Sequence, residues 1–233
     1  MGNPNKVLTV RVVLQVFVFV VLVPFLPLLI SWNWRWWQAW IYALIGIFGF
    51  ALSRFLAARH HPDILAERAR FMQHADIKPW DKVLAALVGL GGALIPIIAG
   101  LDARFDWFTR DFVLWEELIA LALVLAGFAL GSWTLIENRF FSGVVRIQSD
   151  RGQIVVDTGP YRYLRHPGYA GALLTYWFVP FLLDSLWAFV PVLLLSFILF
   201  VRTDLEDRTL QRELPGYRKY AQKTRFRLLP GVW

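Results

Sequence analysis

GPYRYLRHPGYAGALLTYWFVPFLLDSLWAFVPVLLLSFILFV, residues 159 to 201, is a polar turn that runs straight into two apolar segments. Tyr169–Leu183 and Leu186–Val201 are separated only by Asp184 and Ser185, so they read as a tight helical hairpin reversing at that polar pair. His166 precedes Pro167, which biases it away from helical backbone, and Pro167 suits the first turn of the helix that follows. His166 and Tyr169 therefore stand at the start of one arm, and Arg202, Asp204, Glu206 and Asp207 at the end of the other. Taken singly, His166 reads as an interfacial residue bonded to a carbonyl. Arg202 and Glu206, four apart, read as an ion pair on a helix end. The hairpin changes this, because it carries both groups to one membrane surface, where charge must be anchored. One site built from both is the expectation.

The rest of the chain agrees with a membrane setting. Of 233 residues 58% are hydrophobic and only 18% charged, below the quarter usual in soluble domains. Mean hydropathy is +0.51. Twelve tryptophans suit the membrane–water boundary. The absence of cysteine excludes disulfides, a thiolate nucleophile and a thiolate metal site.

Four further apolar runs approach the roughly 20 residues a bilayer crossing needs. They are Val7–Ile30, Trp37–Ala57, Lys82–Leu101 and Phe112–Ile136. Val7–Ile30 is too long for a signal-peptide core, lacks a small-residue cleavage site, and reads as the first membrane helix, kinked or ended by Pro24 and Pro27. Gly89, Gly91 and Gly92 would let a neighbouring helix approach closely. Six crossings sort the basic residues: 21 of the 24 Lys and Arg, including Lys6, Arg11 and Arg202, fall on one side. Arg35, Arg104 and Arg110 fall on the other. The positive-inside rule then places both termini in the cytoplasm and accounts for the net charge of +7 without nucleic acid. The expected fold is an all-α integral membrane protein of about six transmembrane helices, with a cytoplasmic pocket formed by the loop before the hairpin and the C-terminal tail. Residues 1–137 form the N-terminal crossings with an interfacial loop at 58–81, where Pro62–Phe71 suits a short interfacial helix. Residues 138–233 form the catalytic region, with the hairpin at 169–201 and Gln153–Val156 as a β-prone run.

Other candidates are weaker. His60 and His61 lack the spacing of a metal site, and Glu116 and Glu117 read as interfacial or capping charges. The glycines at 89–92 follow no strand, so they make no dinucleotide fingerprint. Asp204, Glu206 and Asp207 sit among arginines, which argues against Mg²⁺.

From Asn138 to Trp233 the chain resembles the isoprenylcysteine carboxyl methyltransferase family of integral membrane methyltransferases. The resemblance rests on Val144-Val145-Arg146, on GPYRYLRHPGYAG and on RTDLEDRTL at Arg202–Leu210. It implies S-adenosylmethionine as methyl donor. It also implies cofactor contacts from Arg146, from Gln153, Ile154, Val155 and Val156, from Tyr161, from His166, Pro167, Gly168 and Tyr169, and from Glu206. Arg202 falls on the substrate side, and with Glu206 is the expected catalytic pair. Two positions depart from the family: Arg146 stands where eukaryotic members can carry a neutral amide, and Leu214-Pro215-Gly216-Tyr217 with Tyr220 alters the tail.

The residue inventory suits such chemistry. Methyl transfer from a sulfonium is an in-line displacement, served by alignment and exclusion of water. A carboxylate acceptor needs no strong base but needs a cation to place it, which Arg202 supplies with bidentate geometry. A thiol, phenol or amine acceptor would instead need a base from His166, Glu206 or Asp207. The expected acceptor is lipophilic and reaches the site from the bilayer, in what reads as a bacterial inner membrane. Two other readings stay open: an NADPH-dependent sterol or enoyl reductase, which shares an RHP-x-Y-x-G run and a Tyr-Arg-x-x-Pro tail, and a non-enzymatic transport or assembly protein. Gly168, where the reductases tend to carry Asn, favours the methyltransferase.

Overall fold

A computed structural model describes residues 14, 16–69, 74–107 and 112–233. The expected start of the first crossing at Val7, with Lys6 and Arg11, lies outside the described residues, as do Arg70 and Phe71 of the interfacial loop and Arg110. The described chain is all helical, without a strand among those residues. Its helices are α1 (Phe17–Ser31), α2 (Trp37–His60), α3 (Ile64–Ala69), α4 (Pro79–Phe105), α5 (Leu114–Glu137), α6 (Pro167–Leu182), α7 (Phe189–Glu213) and α8 (Tyr217–Lys223). By length and composition α2, α4 and α5 can each cross a membrane. Helix α1 is apolar but shorter. Helix α6 has 16 residues, and the last third of α7 is charged. Three spans therefore stand on length and hydropathy where six were expected. Phe48, Leu90 and Phe197 are each more than 60% exposed, an outer surface that only lipid makes tolerable.

Proline and glycine set how the helices meet. Pro24 has no N–H to give, and the turns before it widen so that Val23 N–H reaches the Val18 carbonyl. A matching wide stretch, Ile45–Gly49 in α2, lies opposite: a Cβ on Gly46 would sit 3.0 Å from Pro24 Cγ. Helix α1 ends at Trp32, whose φ is 57°. Helices α5 and α6 make the most extensive pairing, because Gly127, Gly131 and Gly171 bring the two backbones into contact. A Cβ on Gly171 would lie 2.7 Å from the Gly127 carbonyl oxygen and 2.9 Å from Gly131 N. Backbone atoms cannot rotate away. Gly171→Val is expected to lower stability by at least about 1–3 kcal/mol, measured as a drop in the unfolding midpoint in detergent. Gly89→Ala should be neutral or slightly stabilising, since nothing lies within 4 Å of the new Cβ. The closest helix contact thus falls at Gly127 and Gly171. Of the expected trio, Gly91 touches Leu195 and Gly92 touches Tyr176, and Gly89 meets nothing.

The hairpin turns where the polar pair predicts. Asp184 takes a φ of 48°, a conformation Asp tolerates better than most residues. Ser185 N–H donates to the Pro180 carbonyl. The Ser185 hydroxyl donates to Asp102 on α4 at 2.6 Å and accepts from Ala188 N–H at 3.2 Å. Gln38 on α2 donates to both Glu117 and Asp184, at 2.8 and 3.0 Å. Glu117 is therefore a buried tie between helices, whereas Glu116 accepts from Val113 N–H as the cap of α5. These bonds lock the hairpin at the end of the bundle remote from His166.

Candidate active site

Reversal at Asp184 brings the start of α6 against the end of α7. The Tyr169 hydroxyl donates to Glu206 at 2.6 Å, and the Arg202 guanidinium lies 5.3 Å from the centre of the Tyr169 ring. Pro167 opens α6, and His166 before it is non-helical, with φ −127° and ψ 60°. The His166 ring stacks on Tyr169, centroids 5.9 Å apart and planes within 10°.

His166, Tyr169 and Glu206 face a cavity of about 790 Å³ of empty space, part of it open to solvent. The extended run Gln153, Ile154, Val155 and Val156 forms one side, without becoming a strand. Tyr161, His166, Gly168, Tyr169 and Glu206 line another, and Arg146 reaches the wall. Pro167 and Arg202 do not line it. Gly168 is required by its neighbour, since a Cβ there would meet the Phe141 ring at 2.7 Å. The turn Gly159–Arg162 carries Tyr161. Its first residue has φ 54° and lies so close to the Glu137 carboxylate that no side chain would fit.

Each cation near the cavity has a carboxylate. Arg146 donates to Glu67 at 2.8 Å, Asp76 at 3.0 Å and Asp150 at 2.8 Å. These bonds offset its burial and hold its pKa above the ordinary arginine value. Arg165 forks onto Asp207 at 2.9 and 2.8 Å, leaving Nε buried without a partner. Arg202 donates through Nε and Nη2 to Asp81 at 2.7 and 3.1 Å and through Nη2 to the Gly143 carbonyl at 2.8 Å. Among the described residues its Nη1 makes no hydrogen bond. The i,i+4 ion pair that the spacing offers to Arg202 and Glu206 does not form: the carboxylate that Arg202 takes is Asp81, and Glu206 takes the Tyr169 hydroxyl. Burial decides it, since Asp81 on α4 is fully enclosed and would otherwise be an unpaired buried charge.

Asp207 is the hub of the tail. Besides Arg165 it accepts from His166 Nε2 at 3.4 Å, Gln211 at 2.7 Å, Tyr217 at 3.0 Å and Arg227 Nε at 3.1 Å. Burial pushes its carboxyl up, but the hydrogen bond and charge of His166, the charge of Arg165 and the Tyr217 hydrogen bond outweigh it. The result lies well below the usual aspartate range. So committed a carboxylate is a poor base. The tail closes over the turn by backbone bonds, Arg165 N–H to the Phe226 carbonyl and His166 N–H to that of Arg227. The Tyr220 hydroxyl donates to the Tyr161 carbonyl at 2.7 Å. Tyr161, whose Oη accepts from Asn138 at 2.9 Å, is held above the ordinary phenol value, chiefly by burial.

Sequence reasoning missed Asp81, Asn138, Arg165, Tyr217 and Tyr220 as members of this neighbourhood. Asp81 carried only the signal of an acidic first turn after Pro79. Nothing local ties it to a residue on α7.

The helices and the cavity together make this a helical membrane protein with a partly open cavity, lined by both polar and apolar residues, at one end of its bundle. Residues 118–212 match the family model of the Isoprenylcysteine carboxyl methyltransferase (ICMT) family, so this stretch carries the domain of a membrane methyltransferase family. The match starts within α5, earlier than the resemblance drawn from the motifs, and stops before α8 and the tail. No curated protein matches the chain.

Proposed function

We propose that the protein transfers a methyl group from S-adenosylmethionine to a lipophilic acceptor, a carboxylate above all, at the Tyr169–Glu206 wall. One observation carries this: Arg146 and Arg165, the cations lining the cavity, are already matched by carboxylates, while Glu206 is bonded there only by a neutral phenol. A cationic sulfonium suits that balance. A dinucleotide with several phosphates would need cations that are not already committed, which disfavours the reductase reading. The group also fits in its parts: Glu206 would hold a cationic end, the unpartnered Arg165 Nε a carboxylate end, and the apolar and tyrosine walls an aromatic ring. When bound, S-adenosylmethionine supplies an electrophilic methyl group.

The chain's own residues then position and exclude. Tyr169 fixes the Glu206 carboxylate through its hydroxyl, and stacking on His166 fixes Tyr169. Asp81 fixes Arg202 so that Nη1 is the donor left to orient an acceptor. His166, bonded to Asp207, is a positioning residue. The proposed setting is a multi-pass bacterial inner-membrane protein with the cavity on the cytoplasmic side, its acceptor arriving laterally from the lipid.

Calorimetric titration of the detergent-solubilised protein with S-adenosylhomocysteine and with NADPH tests this. Heat from S-adenosylhomocysteine alone is expected. Glu206→Gln should weaken it about 10- to 100-fold, the scale of one charge-assisted hydrogen bond. Heat from NADPH alone would overturn the proposal in favour of a reductase, and heat from neither in favour of a non-enzymatic role.

A further inference from the structure

Several arginines at this end of the bundle take carboxylates. Arg139 and Arg151 share Asp63, at 3.0 and 2.6 Å, and hold its carboxyl down at about 2 against the effect of burial. Arg54 and Arg68 take none among the described residues. Arg54 donates to the Ser53 hydroxyl at 3.0 Å and lies 4.4 Å from the centre of the Phe50 ring. Arg68 on α3 donates to the Phe141 carbonyl at 3.2 Å and lies 5.3 Å from the Phe141 ring. The helices that carry them, α2 and α3, pack together at Ala57 and Ile64. Both side chains are half-buried, and like charges without a counter-ion among the described residues are costly. The pair wants an anion.

What surrounds the pair says which anion. Neither arginine lines the candidate active site; the Phe141 ring, wedged beside Gly168, stands between. Ser53, which binds Arg54, instead forms the wall of a second, almost wholly apolar groove between α2 and α5. Leu52, Leu56, Leu125 and Phe128 line that groove, and Leu52 and Leu125 face outward, 58% and 47% exposed. An apolar groove on the exposed surface, with Arg54 bonded to its Ser53 wall and Arg68 on the adjoining helix α3, is complementary to a molecule with an acyl chain and an anionic head. We propose that the α2–α5 groove with Arg54 and Arg68 is a binding site for an anionic phospholipid, its chain along Leu52, Leu56 and Phe128 and its phosphate at the two guanidiniums. The site is distinct from the cavity, which neither arginine lines.

Native mass spectrometry of the full chain in detergent, titrated in parallel with phosphatidylglycerol, phosphatidylcholine and palmitate, tests it. Phosphatidylglycerol is expected to bind at least about tenfold more tightly than phosphatidylcholine, as two charge-assisted contacts would give. Arg54→Gln/Arg68→Gln should erase the preference, and Arg54→Lys/Arg68→Lys, which keeps the charge, should retain most of it. Leu52→Trp, at an exposed position that folding tolerates, should weaken phosphatidylglycerol by obstructing the groove with both arginines intact. Equal binding of the two phospholipids, a preference that survives the glutamine pair, or a lysine pair behaving like the glutamine pair would each overturn the proposal. Palmitate bound at the arginine pair in preference to phosphatidylglycerol would overturn it too, assigning the groove to a free lipophilic acid. S-adenosylhomocysteine binding should be unchanged in every variant.

Discussion

Asp207→Ala is expected to destabilise the protein by about 3–5 kcal/mol, the scale of removing one partner from a buried ion pair. The Asp207 side chain is wholly buried, and its two oxygens accept from Arg165, His166, Gln211, Tyr217 and Arg227. Without it Arg165 is left buried with only the Arg225 carbonyl, and the tail loses its anchor to α7. Chemical denaturation in detergent should show a lower midpoint, and S-adenosylhomocysteine binding should fall with it, because His166 and Tyr169 are aligned through the same carboxylate. The pH dependence gives an independent check. The folded carboxyl is held below the ordinary aspartate range, so below about pH 4 the unfolded chain binds the proton that the folded chain resists. The stability from Asp207 is thus present in full above about pH 4 and lost as the pH falls through the folded value. The wild type should weaken on acidification in this range and Asp207→Ala should show a flatter profile. Equal slopes would refute the hub.

Asp81→Ala should cost a similar amount, about 3–5 kcal/mol, for the same reason. Asp81 and Arg202 are both buried, and Asp81 also accepts from Val145 N–H at 2.6 Å, tying α4, α7 and the 143–146 segment together. Arg202→Met should cost less, since Asp81 keeps the Val145 bond. The pair Asp81→Leu/Arg202→Met should recover part of the loss, with a coupling of about 0.5–3 kcal/mol, because apolar residues of similar volume remove both charges from the interior. That double variant separates two roles of Arg202. If stability returns and methyl transfer does not, Arg202 orients the acceptor as proposed. Wild-type turnover in it would leave Arg202 a structural role only.

Much of the region from Gly159 to Asp207 was legible in the primary structure, because its signals are local. Pro167 favours the first turn of a helix, a following proline biases His166 away from helical backbone, and two apolar arms joined by Asp184-Ser185 are suited to folding back. Their meeting, Tyr169 on Glu206, follows from connectivity. The β-prone run Gln153–Val156 lines the cavity but forms no strand, since no neighbouring strand exists to pair with it among the described residues. The crossings were harder to count, because α6 and the apolar part of α7 are short, and hydropathy alone does not distinguish a span from a buried helix.

A helical membrane bundle, a hairpin, and two polar clusters that the hairpin brings together follow from the order of the residues alone. Only the tertiary structure decided which charge each side chain answers. Arg202 has Glu206 one helical turn away and takes Asp81 instead, from a position 121 residues earlier. Arg146 gathers Glu67, Asp76 and Asp150, while Arg54 and Arg68 are left for an anion outside the protein. Spacing along a helix determines which partners are within reach. In a medium of low polarity the choice among them goes to the carboxylate that would otherwise be buried alone, and burial is a property of the packed bundle.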